Sequence, residues 1–285
     1  MKNVLLLFCL FPFALPAQNL HLSTRIGMAN YQGDLKAKSL SFKKSKLFLS
    51  LGAKYDLTEH LAARSYLSYT SLQADDKDGT ASMQLRNLNF KSKILEWEAG
   101  AQYNLFTLND RWWTPYVYAG IGLFRYKPYT SAPSGEKVYL QPLSTEGQGF
   151  VDGSKKYKLT QFFIPIGAGA DYALSEDMRL GLEMGYRKLF TDYLDDVSNV
   201  YVDQTALLNA KGPMAVELAY RGDEVGAGLY PPENSIRGNP ENKDGYFYVA
   251  VTFTMRAIFD TYKRIAGLPA YKRDKKVGCP GSRVR

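Results

Sequence analysis

Eight stretches of this 285-residue sequence alternate apolar and polar residues with a period of two, and the connections joining them alternate strictly between long and short. A period of two is the signature of β-strands with two unlike faces. The first stretch sets Leu20, Leu22, Thr24, Ile26 and Met28 against His21, Ser23, Arg25, Gly27 and Ala29. The second sets Leu47, Leu49, Leu51, Ala53 and Tyr55 against Phe48, Ser50, Gly52, Lys54 and Asp56. A third runs from about Leu61 to Leu72. The fourth is the clearest, with Leu95, Trp97, Ala99, Ala101, Tyr103 and Leu105 against Glu96, Glu98, Gly100, Gln102 and Asn104. A fifth runs from Trp113 to Tyr126 and a sixth from Tyr157 to Tyr172. The seventh sets Leu180, Leu182, Met184 and Tyr186 against Arg179, Gly181, Glu183, Gly185 and Arg187, and the eighth runs from Tyr246 to Met255. The connections near Leu57–His60, Phe106–Trp112 and Leu174–Asp177 are short. Those at Gln32–Ser45, Gln73–Lys93, Lys127–Lys156 and Lys188–Gly245 are long. Short turns at one end and long loops at the other, around an even number of strands of about ten residues, define an outer-membrane barrel. The predicted fold is all-β: an eight-stranded antiparallel transmembrane β-barrel with long outer loops and a C-terminal periplasmic tail.

The first residues favour export. Met1-Lys2 precedes an apolar run from Val4 to Leu15, and Leu15-Pro16-Ala17 offers a cleavage site with the mature chain starting near Gln18. That run is too short to span a bilayer as a helix. The longest later uncharged run, Trp112 to Phe124, is shorter still than a helical span. An exported chain without a spanning helix is either dissolved outside the inner membrane or a closed barrel. The expected divisions are a signal peptide over 1–17, a barrel over 18–255 and a basic tail over 256–285.

The chain carries 36 Lys and Arg against 28 Asp and Glu, for a net charge of +8. The tail holds nine of the basic residues and two of the acids, and Lys2 supplies one further positive charge, so the body is neutral. A neutral body has no basic groove for nucleic acid, and none is expected as a partner. Within the tail, Lys263, Arg264, Lys272, Arg273, Lys275 and Lys276 are candidate partner-binding residues. Cys279, the lone cysteine once the leader carrying Cys9 is removed, is a candidate for an intermolecular bond or a free thiol.

Alternation by itself does not say which face meets lipid; the leader and the loop asymmetry decide for the apolar one. Arg25, Lys54, Glu96, Glu98, Glu183 and Arg187 then point into a narrow interior filled by side chains. Unpaired, each buried charge would cost several kcal/mol, so they are predicted to pair across the lumen. Tyr31, Tyr55, Trp97, Tyr103, Trp112, Trp113, Tyr116, Tyr126, Tyr186, Tyr246 and Tyr248 lie toward strand ends, where aromatic girdles form. The Gly120-Ile-Gly122 and Gly167-Ala-Gly169 pairs lack the strand–turn–helix setting of nucleotide loops and are read as relieving interior crowding.

Signals for chemistry are weak. A barrel hydrolase needs a base at the outer rim, whereas His21 and His60 both fall at the periplasmic end. Asp75-Asp76-Lys77-Asp78-Gly79 fails calcium-loop spacing, because aligning Gly79 puts Ala74 and Leu85 at ligand positions. Thr191-Asp192-Tyr193-Leu194-Asp195-Asp196 is another acidic cluster, with a structural role as the cap of a short helix in the last loop favoured over weak binding of a cation. No catalytic, metal or cofactor site is expected.

Four motifs carry a family resemblance. They are Asn30-Tyr31-Gln32-Gly33-Asp34-Leu35, Thr145-Glu146-Gly147-Gln148-Gly149, Thr191 to Ser198, and Arg237-Gly238-Asn239-Pro240-Glu241-Asn242-Lys243-Asp244-Gly245-Tyr246-Phe247. In this order around an eight-strand pattern, the chain resembles the PorG family of outer-membrane β-barrels. The resemblance implies a non-enzymatic role in type IX secretion, beside a periplasmic ring of a PorK-like lipoprotein and a PorN-like protein. A barrel acting in solute passage or surface adhesion through its long loops is the alternative.

Overall fold

The computed structural model describes residues 20–35 and 44–256, apart from 109, 152, 176 and 242. Nine strands form one antiparallel sheet. They are β1 (Leu20–Gln32), β2 (Lys46–Asp56), β3 (Leu61–Asp75), β4 (Asn89–Asn104), β5 (Trp113–Ser131), β6 (Lys137–Tyr139), β7 (Thr160–Ala173), β8 (Met178–Leu189) and β9 (Gly245–Met255). β6 is a short strand paired with the end of β5. The other eight each pair with the next, and β9 closes on β1, with Ile26 opposite Val251. The expected eight-stranded antiparallel barrel is borne out. Closure leaves no unpaired edge within it, which is what a sheet in hydrocarbon requires.

The two faces have opposite chemistry. Outward positions are apolar: Ile121 is 67% exposed and Leu182 63%, with Ile26, Leu51, Leu67, Leu95 and Phe162 also open. Inward positions carry the polar and ionic residues, with Arg25, Arg187 and Thr252 at 0%, along with buried aromatic rings. A dissolved barrel would carry the reverse pattern, because exposing this much contiguous apolar surface to water is unfavourable at about 25 cal/mol per Å². The arrangement fits a barrel solvated by lipid. Among the described residues no helix is long and apolar enough to cross a membrane, which says nothing about strands.

The aromatic girdle needs correction. Trp97, Tyr103, Trp112 and Trp113 do face outward, and Tyr55 and Tyr186 are half-buried. Tyr31, Tyr116, Tyr126, Tyr246 and Tyr248, however, are buried in the interior. Each buried phenol needs a polar partner, and the interior carboxylates supply several. The glycines of β7 make room for these rings: a Cβ on Gly167 would meet the Tyr118 ring at 2.6 Å, and one on Gly169 the Tyr116 ring at 2.5 Å.

The strands also run past the lipid-facing alternation at the long-loop end. β3 and β4 stay paired up to Asp75 opposite Asn89, and β5 continues to Ser131. A small helix, α1 (Ala81–Arg86), crowns the β3–β4 hairpin. The last long loop carries α2 (Gln204–Lys211) and α3 (Pro213–Ala219). Asp203 caps α2 by accepting from the Ala206 amide at 2.8 Å, and Gly212, at φ 83°, turns the chain from one helix into the other.

Candidate functional site

Two polar assemblies occupy the barrel, one in the lumen and one over its long-loop mouth. In the lumen, Arg25 donates to Glu98 and Glu183 at 3.0 Å each, and to the Ser50 hydroxyl at 2.8 Å. Arg64 binds Glu183 at 2.9 Å and reaches Glu98 at 3.5 Å. Arg187 binds Glu96 at 2.9 Å and Glu98 at 2.5 Å. Lys54 meets Asp171 at 3.2 Å, one level nearer the short turns. Four cations thus face four carboxylates, so the lumen is neutral. Tyr116 donates to Glu183 at 2.8 Å, Tyr248 also donates to Glu183, and Tyr246 to Glu96. The guanidinium of Arg25 lies 3.7 Å from the centre of the Tyr66 ring, and that of Arg64 3.8 Å from the Tyr118 ring. Each charge is held by an opposite charge, and several also by a hydroxyl or an aromatic face.

All six interior residues singled out in the sequence sit in this network. Arg64 and Asp171 belong to it as well. Arg64 was hidden by its setting, Ala62-Ala63-Arg64-Ser65, where small residues blur the alternation. At the short-turn end, His21 Nε2 lies 2.9 Å from Asp56 Oδ2, and Arg179 reaches the same oxygen at 3.1 Å. His60 Nδ1 lies 2.8 Å from the Asn104 carbonyl oxygen. Both histidines therefore tie strand ends together.

Above the ionic layers the interior turns apolar, with Phe48, Phe90, Phe124 and Phe163 clustered beneath the loops. The cap on top is built from the four sequence motifs. Tyr31 contacts Asp195 Oδ2 at 2.5 Å and Asp244 Oδ1 at 2.9 Å. A phenol has one proton to share between the two carboxylates, so a proton on one of the acids favours this arrangement. Burial pushes both acids well above the usual carboxylate range; Asp34 adds to this at Asp195, and Asp195 at Asp244. Asp196 accepts from Thr145 at 2.7 Å and from Tyr157 at 2.5 Å, and burial raises it to about 6. Arg237 donates to Glu146 at 2.8 Å and to the Asp196 carbonyl at 2.7 Å. Glu146 in turn accepts the Ser198 and Asn199 amides at 2.9 and 3.1 Å. Asp34 accepts the Asn239 amide at 2.8 Å, and Asp244 the Leu194 amide at 2.8 Å.

The Thr191–Asp196 cluster does not cap a helix, contrary to the favoured sequence reading; Asp203 caps the helix that follows. Asp195 and Asp196 instead receive donors from distant segments, Tyr31, Thr145 and Tyr157, while Asp192, raised to about 7 by burial, accepts from nearby Ser198 at 2.7 Å. The Asp75–Gly79 stretch forms a single 3₁₀ turn. Within it Asp76 binds Arg86 at 2.7 Å, while Lys44 meets Asp75 at 3.1 Å and Asp78 at 2.6 Å. Among the described residues no group of three or more His, Cys, Asp or Glu could hold a metal ion. The tail residues Lys263, Arg264, Lys272, Arg273, Lys275, Lys276 and Cys279, and the leader over 1–17, lie outside the described residues.

The fold is a closed, eight-stranded antiparallel β-barrel with an apolar outer face. The chain belongs to the family described as Domain of unknown function (DUF6089), whose pattern matches residues 1–210. No curated protein matches it. Among solved structures it is similar to the surface protein NspA of Neisseria, at 11% identity and a TM-score of 0.41, covering 84% of this chain and 97% of that one. It is also similar to Ail, the attachment invasion locus protein of Yersinia pestis, at 9% identity and a TM-score of 0.38, covering 83% and 97%. A third is the outer membrane protein OprG of Pseudomonas aeruginosa, at 11% identity and 0.38, covering 84% and 94%.

Proposed function

We propose that this protein is a non-enzymatic outer-membrane component of the type IX secretion machinery, anchoring or organising the periplasmic ring complex. The observation that carries this reading is the filled lumen. Side chains of Arg25, Arg64, Arg187, Glu96, Glu98 and Glu183 bridge it from wall to wall, and the loop cap covers its outer mouth. A barrel plugged in this way serves through its two ends and its rim rather than as a conduit. The chain leaves the barrel at the short-turn end, where Arg256 is tied to Asp177 through its backbone amide at 2.8 Å and its side chain at 3.2 Å. On this reading the basic residues that follow in sequence act on that side of the membrane, where a periplasmic ring would lie. The resemblance of the four motifs to those of the PorG family supports the same reading.

The test is affinity purification from outer membranes through a C-terminal tag, with and without residues 257–285. Ring proteins resembling PorK and PorN are expected with the full chain and lost with the truncated, still inserted barrel. Unchanged co-purification after truncation, or none with the full chain, contradicts the proposal. A second reading is surface adhesion. It is favoured by the groove between α1 and the last loop, lined by Met83, Leu85, Tyr201, Tyr220 and Ile236, where Ile236 stands 83% exposed.

A further inference from the structure

The outward face of the barrel changes character abruptly on β4 and β5. Ascending β4, the outward residues are Tyr103, Ala101, Ala99, Trp97 and Leu95, and then Lys93 and Lys91. Ascending β5, they are Val117, Ala119, Ile121 and Leu123, and then Arg125 and Lys127. The two strands are neighbours, with Lys93 opposite Lys127 and Leu95 opposite Arg125. β6 adds Lys137, whose ammonium sits 4.0 Å from the Tyr129 ring and 4.7 Å from the Tyr139 ring. These five cations are exposed, and among the described residues none is in an ion pair with a carboxylate. Five like charges in so small an area repel one another, water and salt screen that repulsion in part, and a bound anion relieves it further. The contrast with the lumen is direct, since there every cation has its acid.

The patch also has a floor. A cavity of about 190 Å³ opens among Tyr69, Leu95, Tyr126, Tyr129 and Tyr139, with Lys93, Lys127 and Lys137 around it. The Lys137 ammonium, hydrogen-bonded to the Tyr139 phenol, lowers the pKa of that phenol, with Lys127 and Lys93 acting in the same direction. Lys93, Lys127 and Lys137 thus border one and the same cavity. That cavity lies directly beyond the last apolar outward residues of the two strands, Leu95 and Leu123, on the long-loop side, and a lipid-solvated barrel would place it where headgroups meet acyl chains.

We propose that Lys91, Lys93, Arg125, Lys127 and Lys137 form a docking site for the phosphorylated headgroup of an outer-leaflet glycolipid of the lipid A type, whose acyl chains lie along Leu95, Leu123 and Phe162. Charge complementarity selects the phosphates, and the continuous apolar wall below selects a lipid over a soluble anion. The site is independent of the ring-anchoring role, and it rests only on the barrel being inserted in a membrane.

Native mass spectrometry of the full chain in a neutral detergent tests it directly. The probes are bisphosphorylated lipid A, the same lipid with its phosphates removed, and inorganic phosphate. The bisphosphorylated lipid should be retained as an adduct, with binding weaker by at least about tenfold for the dephosphorylated lipid or for the triple variant Lys93→Gln/Arg125→Gln/Lys127→Gln. The variant Lys93→Arg/Lys127→Arg should keep the adduct, and inorganic phosphate should not bind. Equal binding by the dephosphorylated lipid or by the triple variant overturns the site, as does saturation by inorganic phosphate. A heat-dependent shift in gel mobility, checked for every variant, separates a lost site from a barrel that failed to fold.

Discussion

The lumen and the loop cap are both buried and polar, yet they manage charge in opposite ways. In the lumen four carboxylates meet four cations, and all are locked as ion pairs. In the cap, Asp34, Glu146, Asp192, Asp195, Asp196 and Asp244 crowd around Arg86 and Arg237. Acids are in excess there, so part of them must hold protons. Location explains the difference. The lumen lies at membrane depth, where water cannot rescue an unpaired charge. The cap borders water, and a proton exchanged with solvent can balance what arginine does not.

The largest expected effect breaks the lumen. Arg25→Met leaves Glu98 and Glu183 short of a cation and should destabilise the inserted barrel by about 3–5 kcal/mol. The double variant Arg25→Met/Glu183→Met should recover part of that loss. Urea unfolding in vesicles, followed by gel mobility, measures both. Next comes the outer face: Leu182→Arg puts an unpaired cation against lipid and should cost about 2–4 kcal/mol in the same assay. The equivalent cation inside the lumen is tolerated, because it has partners.

The cap should respond to pH where the lumen does not. Asp196 titrates near 6 in the folded protein and near its ordinary, lower value once unfolded. Between those values the folded state holds more protons, so stability falls as pH rises through this window. It should then level off above the folded pKa. The change attributable to Asp196 is about 2–3 kcal/mol, and Asp196→Asn should remove it. Asp192, at about 7, extends the same trend to slightly higher pH. A stability that rises across this range would contradict the assignment. The smallest effect is local: Asp203→Ala removes the α2 cap at a cost of about 1 kcal/mol. It should speed amide exchange over 204–219 without altering the lumen.

Strand number, face assignment and loop alternation were legible in the sequence, because period-two patterning survives wherever one face meets lipid. Pairing within the lumen was not. Arg25 and Glu183 lie 158 residues apart, and only closure of the barrel brings them together. The inward tyrosines carried a signal that went unused. Tyr246 and Tyr248 share the parity of Ala250, Thr252 and Thr254, which are also buried. Strand ends above the membrane were underestimated, because Lys91, Lys93, Arg125 and Lys127 replace the apolar residues that mark a lipid-facing rung. The cap was visible as motifs without a location. Its acids are spread over loops whose convergence depends on the barrel beneath them.

The central claim is that lipid solvates the outer face while the ionic residues lie inside. Quenching of tryptophan fluorescence by brominated lipids tests it most directly. Trp97 lies within the apolar band, whereas Trp112 and Trp113 lie at its short-turn margin. In reconstituted vesicles, Trp97 isolated by Trp112→Phe/Trp113→Phe should be quenched most by bromines within the acyl chains. Trp112 and Trp113, isolated by Trp97→Phe, should be quenched most by bromines nearest the headgroups. Failure of every brominated lipid to quench Trp97 in the folded protein would contradict the account.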